Sequence, residues 1–374
     1  MSAPCVRVAI VGGGLSGLLA AQQLQAKGEH SWALFEARPS LGGRILSAPV
    51  DGAGSAASEA LIRFDLGPTW FWPELQPELD EVVAGLGLAR FAQFEAGDTL
   101  LERSPHEPVH RLGGYANAPA AMRLVGGMAT FIDALASRLP AERLHTGHAV
   151  RELRRSGAHT ELLVQDGAGL TTTWQAEHVL LALPPRLAAH SLAFSPPLPA
   201  PLQAQWLATP TWMAPHAKYL AVFDEPFWRE QGLSGQARSA RGPMVEIHDA
   251  SLPGGSAALF GFVGVPAHVR QGVSAEALQA HCQAQLVRLF GEAAAHPKAT
   301  FLKDWAADPL TATPADLNAT GQHAAAPATR AAEGPWAGCL TGIASEWSPR
   351  FPGYVAGAVE AAGLGVSGLL FAEG

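Results

Sequence analysis

The run Val8-Ala9-Ile10-Val11-Gly12-Gly13-Gly14-Leu15-Ser16-Gly17, followed by Glu36 and then Gly42-Gly43-Arg44, constrains this chain more than any other segment. An apolar β-branched run reads as a buried strand, and a glycine-rich turn lets the backbone approach a pyrophosphate. Gly12, Gly14 and Gly17 fit G-x-G-x-x-G, and Leu18 to Leu24 then give the apolar face of a helix whose N-terminal dipole favours an anion. Ser16 lies at the start of that helix, where its hydroxyl suits pyrophosphate contact rather than nucleophilic work. Gly28 closes the helix before a second strand, Trp32 to Phe35, which ends at Glu36. A carboxylate there accepts hydrogen bonds from both ribose hydroxyls of an adenosine and repels a 2′-phosphate. The segment predicts a dinucleotide site, and not one for NADP.

The residues after Glu36 select the cofactor. Glu36-Ala37-Arg38-Pro39-Ser40-Leu41-Gly42-Gly43-Arg44 resembles the E-A-R-x-x-x-G-G-R segment of the flavin-containing amine oxidases, the family of monoamine and polyamine oxidases. The glycine pair permits a second close backbone approach, and Arg38 and Arg44 supply planar donors for ribose and pyrophosphate oxygens. The resemblance implies FAD. It also implies cofactor contacts from Ala37, Gly43 and Val150, and from Gly67, Pro68, Thr69 and Trp70, because Ile62 to Trp70 looks like the family's D-x-G strand end that passes close to the flavin ring.

A second block lies near the C-terminus. Glu346 and Tyr354 have the spacing of the family's ribityl-binding glutamate and flavin-facing tyrosine, and Gly353 to Ala361 follows G-Y-x-x-G-A-V-E-A, which adds Gly353 and Val355 to the implied contacts. The small residues after Tyr354 let a helix N-terminus approach the flavin's pyrimidine end, where its dipole favours an anionic reduced form.

The catalytic candidate is Lys218. It begins the apolar run Lys218 to Phe223, and Glu225-Pro226-Phe227-Trp228 follows, an arrangement similar to that of monoamine oxidases, whose lysine holds a water at flavin N5. An ammonium there stabilises charge on a reduced flavin, and its water can assist reoxidation or attack an imine. Trp305 resembles the tryptophan beside the flavin in monoamine oxidases. Nine residues on, where those enzymes bear the cysteine that links FAD covalently, this chain has Pro314, so non-covalent FAD is expected. Thr313 to Leu317 also holds no aromatic residue for the second wall of the family's amine cage, leaving Tyr354, Trp70 and Trp72 as aromatic candidates. Ala344 and Phe351 stand where the family carries glycine and tryptophan.

Composition narrows the remaining classes. A chain of 374 residues with 48% hydrophobic content has the length for two domains, and a net charge of −8 without a basic cluster gives no footprint for nucleic acid. Cys5, Cys282 and Cys339 lack disulfide or metal spacing and read as reduced thiols of a cytoplasmic protein. His145 with His148, and His106 with His110, have no third ligand in view and sit in loop-like or polar sequence, so no metal site is expected. Arg151 to Arg155 read as a solvated strand face. The apolar run after Cys5 reads as a strand rather than a signal peptide, and Tyr354 to Ala372, broken by Glu360 and glycines, as a buried helix rather than a membrane anchor.

The expected fold is α/β: a discontinuous, two-unit Rossmann-like FAD-binding domain (1–72, 124–198 and 336–374) interleaved with a smaller α+β substrate domain (73–123 and 199–335). Predicted elements include helices at Glu78 to Leu86 and Thr130 to Leu139, strands near Ala149 to Leu153 and Glu161 to Gln165, and a strand ending at Pro184-Pro185. The expected function is oxidation of a small-molecule amine, hydride passing to flavin N5 and oxygen regenerating the cofactor, in a monomer or homodimer. Desaturases and protoporphyrinogen oxidases, which act on C–C bonds with the same nucleotide blocks, and a non-catalytic flavin-bound scaffold remain open alternatives.

Overall fold

The computed structural model describes residues 3–50, 63–318 and 324–370. Ile62, the start of the expected D-x-G strand, and Phe371 and Ala372 of the expected terminal helix lie outside the described residues. Packing divides the chain into two compact units, 1–45 with 131–214 and 309–374, and 46–130 with 215–308. The chain therefore passes between units at 45/46, 130/131, 214/215 and 308/309.

The first unit is built on a parallel core. Cys5–Val11 pairs in parallel with Trp32–Glu36 on one side and with Thr171–Leu181 on the other, and Leu144–Thr146 and Leu340–Gly342 extend the parallel set outward. Strands buried on both faces read as continuous apolar runs, which is why Val8 to Val11 and Trp32 to Phe35 show no alternation. His148–Ser156 and His159–Asp166 continue the sheet as an antiparallel meander onto Thr171–Leu181. On one face the helix Leu15–Ala26 packs on the helix Val355–Leu370. A second cluster gathers Trp206, Trp336 and Trp347 with Leu153, Leu162 and Val179. Trp206 and Trp347 both donate their indole N–H to the Ala328 carbonyl.

In the second unit a seven-stranded mixed sheet runs in the spatial order Ala299–Asp304, Ala217–Phe223, Ala257–Val263, Met244–Asp249, Leu233–Ser239, Asp98–Glu102, His110–Leu112. Strand alternation sorts its residues to two faces. Tyr219, Ala221 and Phe223 meet the helix Ala275–Phe290, whereas Leu220 and Val222 meet Phe64, Leu66 and Phe260. Lys218 has the parity of the second group.

The helices come close to expectation, at Pro77–Gly85 and Ala129–Ala136. The surroundings of His145 and His148 differ from it. Both lie in strands, and His145 stacks on Phe35 with ring centroids 5.2 Å apart and lies 5.0 Å from the Trp174 ring, so burial holds its imidazole below the usual range. The sequence places a polar-looking histidine pair there because the aromatic neighbours come from other strands. No group of three or more metal-ligating side chains occurs among the described residues, and none of their helices is long and apolar enough to cross a membrane.

One brace in the first unit carries a measurable consequence. Asp316 is fully buried, and its carboxylate accepts from Arg186 at 2.6 Å, from the Thr211 amide at 3.1 Å, and from the Thr313 amide and hydroxyl at 2.8 Å each. Removing one partner of such a pair strands a buried charge, at a cost of about 3–5 kcal/mol. Asp316→Ala is expected to lose that much stability in urea denaturation, while Arg154→Ala, in an exposed pair with Glu152, leaves the midpoint where it is.

Candidate active site

In the first unit the glycine turn forms as its spacing requires. Gly12 adopts φ +113°, and a Cβ added at Gly17 would lie 2.0 Å from the Gly12 carbonyl oxygen, so the helix Leu15–Ala26 can enter this close to the strand only with glycine at 17. Gly14 caps that helix without any side-chain hydrogen bond, no acidic residue stands in its first turn, and Leu15, Ser16 and Gly17 are buried. A buried helix N-terminus with uncapped donors fits a pyrophosphate. Gly42 and Gly43 lie alongside, with Gly42 bridging to Gly14.

Glu36 is buried at the end of its strand. One carboxylate oxygen accepts from the Gly13 amide at 2.7 Å and the other from the Arg38 amide at 2.8 Å. Each oxygen keeps a further lone pair, which fits the two ribose hydroxyls of an adenosine. Arg38 and Ala37 are half-buried, and the Arg38 guanidinium donates to Thr311 at 3.1 Å. Val150 lies buried in its strand, where the ladder register shifts between Val150 and Glu152.

Arg44 and Glu346 find each other. The pair is bidentate at 2.5 and 2.9 Å, with Ser345 adding a hydroxyl at 3.2 Å to the same guanidinium. Glu346 also accepts from the Trp212 amide at 3.3 Å. Tyr354, 37% exposed, stands just before the helix Val355–Leu370 and faces Trp212 with centroids 6.2 Å apart and a 32° tilt. A small concavity lined by Thr209, Trp212, Glu346 and Gly353 opens beside them. Trp212 was not among the sequence candidates. Its position six residues before Lys218 is the only signal that could have pointed to it.

The second unit gathers the other candidates on one turn, Asp65 to Thr69. Lys218 is only 3% exposed, and its ammonium donates to the Thr69 hydroxyl at 2.7 Å and to the Gly67 carbonyl at 3.3 Å. It also lies 3.9 Å from the centroid of the Phe260 ring. Burial pulls this lysine down to about 7, opposed in part by Asp65. Burial likewise pushes the Asp65 carboxyl up, opposed chiefly by Lys218, while the Ser47 hydroxyl and Met128 amide donate to its Oδ1 at 2.6 and 2.8 Å. Trp305, also buried, donates its indole N–H to the Leu66 carbonyl at 3.1 Å. Trp70 donates to Gln93 at 2.8 Å and packs on His248 and Phe260, and Pro68 completes the turn. Asp65 is the acid of the D-x-G strand end, whereas Phe260 and the fully buried Arg123, a like charge that disfavours the Lys218 ammonium, carry no sequence signal. Strand pairing brings Phe260 to the amine and packing between separate sheets brings Asp65 and Arg123, neither of which a local pattern encodes.

The glycine turn and the buried carboxylate at the end of the second strand have the form of a Rossmann-type nucleotide site. Residues 109–366 match the family described as flavin containing amine oxidoreductase, and residues 10–86 match an NAD(P)-binding Rossmann-like domain. The chain belongs to the flavin-containing amine oxidoreductases. It is 25% identical to putrescine oxidase of Kocuria rosea, over 91% of this chain and 90% of that one. It is 26% identical, over 64% of its length, to a protein of Dictyostelium discoideum named as a probable flavin-containing monoamine oxidase A, about half of whose length it spans. A putrescine oxidase variant superimposes with a TM-score of 0.81 over 99% of this chain and all of that chain, at 21% identity. Cyclohexylamine oxidase of Brevibacterium oxydans gives 0.78 over 99% of this chain and all of that one, at 18% identity. The fold is that of the FAD amine oxidases.

Glu36→Ala removes the carboxylate that accepts from the Gly13 and Arg38 amides and that is expected to take the ribose hydroxyls. Charge-assisted hydrogen bonds are worth about 1.5–3 kcal/mol each, so FAD should be retained at least about tenfold more weakly in equilibrium dialysis.

Proposed function

We propose that this chain is an FAD-dependent amine oxidoreductase that removes hydride from the carbon bearing a substrate amine. Family membership supports the class, and the buried, doubly anchored ammonium of Lys218 is the observation that carries the amine reading over C–C oxidation or a scaffold role. FAD, when bound, supplies the hydride acceptor and passes the electrons on to oxygen. The residues that would hold it are the Gly12 to Gly17 turn and the helix N-terminus at the pyrophosphate, Glu36 and Arg38 at the ribose, Arg44 and Glu346 toward the ribityl and pyrophosphate oxygens, and Gly43, Val150, Gly353 and Val355 by backbone or apolar contact. Gly67 to Trp70 approach the ring in this reading, so 1–72 counts with 124–198 and 336–374 as the cofactor-binding part, and 73–123 with 199–335 as the substrate part.

Lys218 holds a proton at Nζ, and with FAD bound its remaining N–H would be available to hold a water for the flavin chemistry. Its charge would favour a reduced, anionic cofactor, and a water held there would be available to assist reoxidation or to attack an imine. Tyr354, with Trp212 beside it, presents an aromatic surface to an amine, and Trp305 backs the Asp65 to Thr69 turn. The substrate class is a small amine, as in the relatives named for putrescine and monoamines. Three free cysteines support a reducing, cytoplasmic setting.

Pro314 stands in a capped turn with Thr313 and Asp316, and no cysteine is near it in sequence, so the flavin is held without a covalent bond. Acid precipitation should leave FAD in a yellow supernatant; colour retained on the washed pellet would refute this.

Lys218→Met preserves volume and removes the charge. Loss of one preorganised electrostatic contact costs about 2.7–4 kcal/mol, so flavin reduction or reoxidation should slow by about a hundredfold to a thousandfold in stopped-flow absorbance with an amine substrate. The pH dependence follows from a lysine lowered to about 7. The ammonium is fully present below that pH and is lost above it, so the rate it supports should fall as pH rises through about 7, and this inflection should be absent from Lys218→Met. Equal rates in both proteins would remove Lys218 from the mechanism.

A further inference from the structure

The ammonium of Lys218 has three N–H donors to place. Two are spoken for within one turn of chain, by the Thr69 hydroxyl at 2.7 Å and the Gly67 carbonyl at 3.3 Å. The Phe260 ring covers the amine at 3.9 Å and the Phe262 ring lies at 6.0 Å, so apolar surface flanks it where no acceptor stands. Thr69 is itself 5% exposed, and its hydroxyl is the nearer of the two acceptors.

We propose that Thr69 is the positioning residue for Lys218: its hydroxyl accepts one N–H and thereby fixes the ammonium so that a single N–H is left to hold the reactive water. This rests on the assignment of Lys218 as the ammonium of the amine oxidation proposed above. The turn that carries Thr69 is fixed from behind, since Asp65 accepts from Ser47 and from the Met128 amide, and Trp305 donates to the Leu66 carbonyl. The Asp65 and Leu66 end of the turn is thus held by groups other than the lysine. A hydroxyl that accepts from the charged form also favours that form, against the burial that drives Lys218 toward neutrality. The charged groups that face the amine from the packed elements are Asp65, at the end of the Arg63–Asp65 strand of a separate two-stranded sheet, and Arg123. Lys303, directly across the Ala299–Asp304 strand from Lys218, is paired with Asp308 at 2.8 Å and lies over the Trp305 ring.

The test reads the lysine itself. Lys27, Lys298 and Lys303 are the only other lysines, so protein labelled with 13C at lysine Cε gives few signals, and the one lost in Lys218→Met is assigned to Lys218. Titrated by NMR in the FAD-loaded protein, Thr69→Val should move the Lys218 midpoint down by about one pH unit, the tenfold change that one charge-assisted hydrogen bond represents. Thr69→Ser should restore it, and the signals of Lys27, Lys298 and Lys303 should not shift. The pH inflection of flavin reoxidation should move with the midpoint. Thr69→Ala replaces Val as the probe if the other lysine signals show that the valine disturbs the fold. An unchanged midpoint in the hydroxyl-free variant, or no recovery in the serine variant, overturns the role of Thr69. Because the titration needs no turnover, it stands or falls separately from the Lys218→Met rates that judge the amine oxidase reading.

Discussion

A buried cation is tolerated in a protein only where the surrounding groups replace what water gave it, and in the second unit that task falls to three residues of one turn, braced by a fourth. Asp65 supplies opposite charge, Gly67 and Thr69 supply acceptors, and Leu66 receives the indole of Trp305. Desolvating an ammonium without such partners costs several kcal/mol even after relaxation. The strand Ala217–Phe223 is buried at every position, and the Lys218 ammonium is met there by the turn. Arg123 works against the lysine, and the resulting balance, with two cations near one buried carboxylate, leaves Lys218 able to gain or lose a proton near neutrality.

The first unit depends on a different economy of backbone groups. Glu36 accepts from Gly13 and from Arg38, joining the end of one strand to the glycine turn that follows its neighbour. With Gly17 pressed on the Gly12 carbonyl, the helix N-terminus is held in place while its first amides are given no side-chain cap. Donors left in that state inside a protein are costly unless a ligand answers them, which is why this end of the helix reads as a place for phosphate oxygens.

Where the chain departs from its family, the structure supplies a physical account. The Thr313 to Leu317 segment, which carries no aromatic wall and no flavin-linking cysteine, forms a capped turn around Asp316, and the carboxylate ties that turn to Arg186 and Thr211. An aromatic neighbour for Tyr354 comes instead from Trp212, in the stretch before the lysine strand. The position is used for stability here, and aromatic surface beside Tyr354 is supplied from another part of the sequence.

What the sequence determined by itself is the part written in short-range spacing. The glycine fingerprint, the acid at the end of the second strand, the apolar runs of the parallel core and the helices at Pro77–Gly85 and Ala129–Ala136 are all set by residues within about one element of each other, where backbone sterics and periodicity act directly. Lys218 as a strand residue was legible for the same reason. Its burial, its grip on Thr69 and Gly67, and its contact with Phe260 were not, because residues 65 to 69, 218 and 260 come together only through strand pairing and sheet packing. The same holds for His145, which reads as polar loop in one dimension and stacks on Phe35 in three, and for the Arg44–Glu346 pair, two residues each read as a ligand contact that also neutralise one another. Local sequence fixes which elements form and what chemistry they carry; only the tertiary structure decides which charges are buried, which partner each one meets, and therefore which of them can do work at neutral pH.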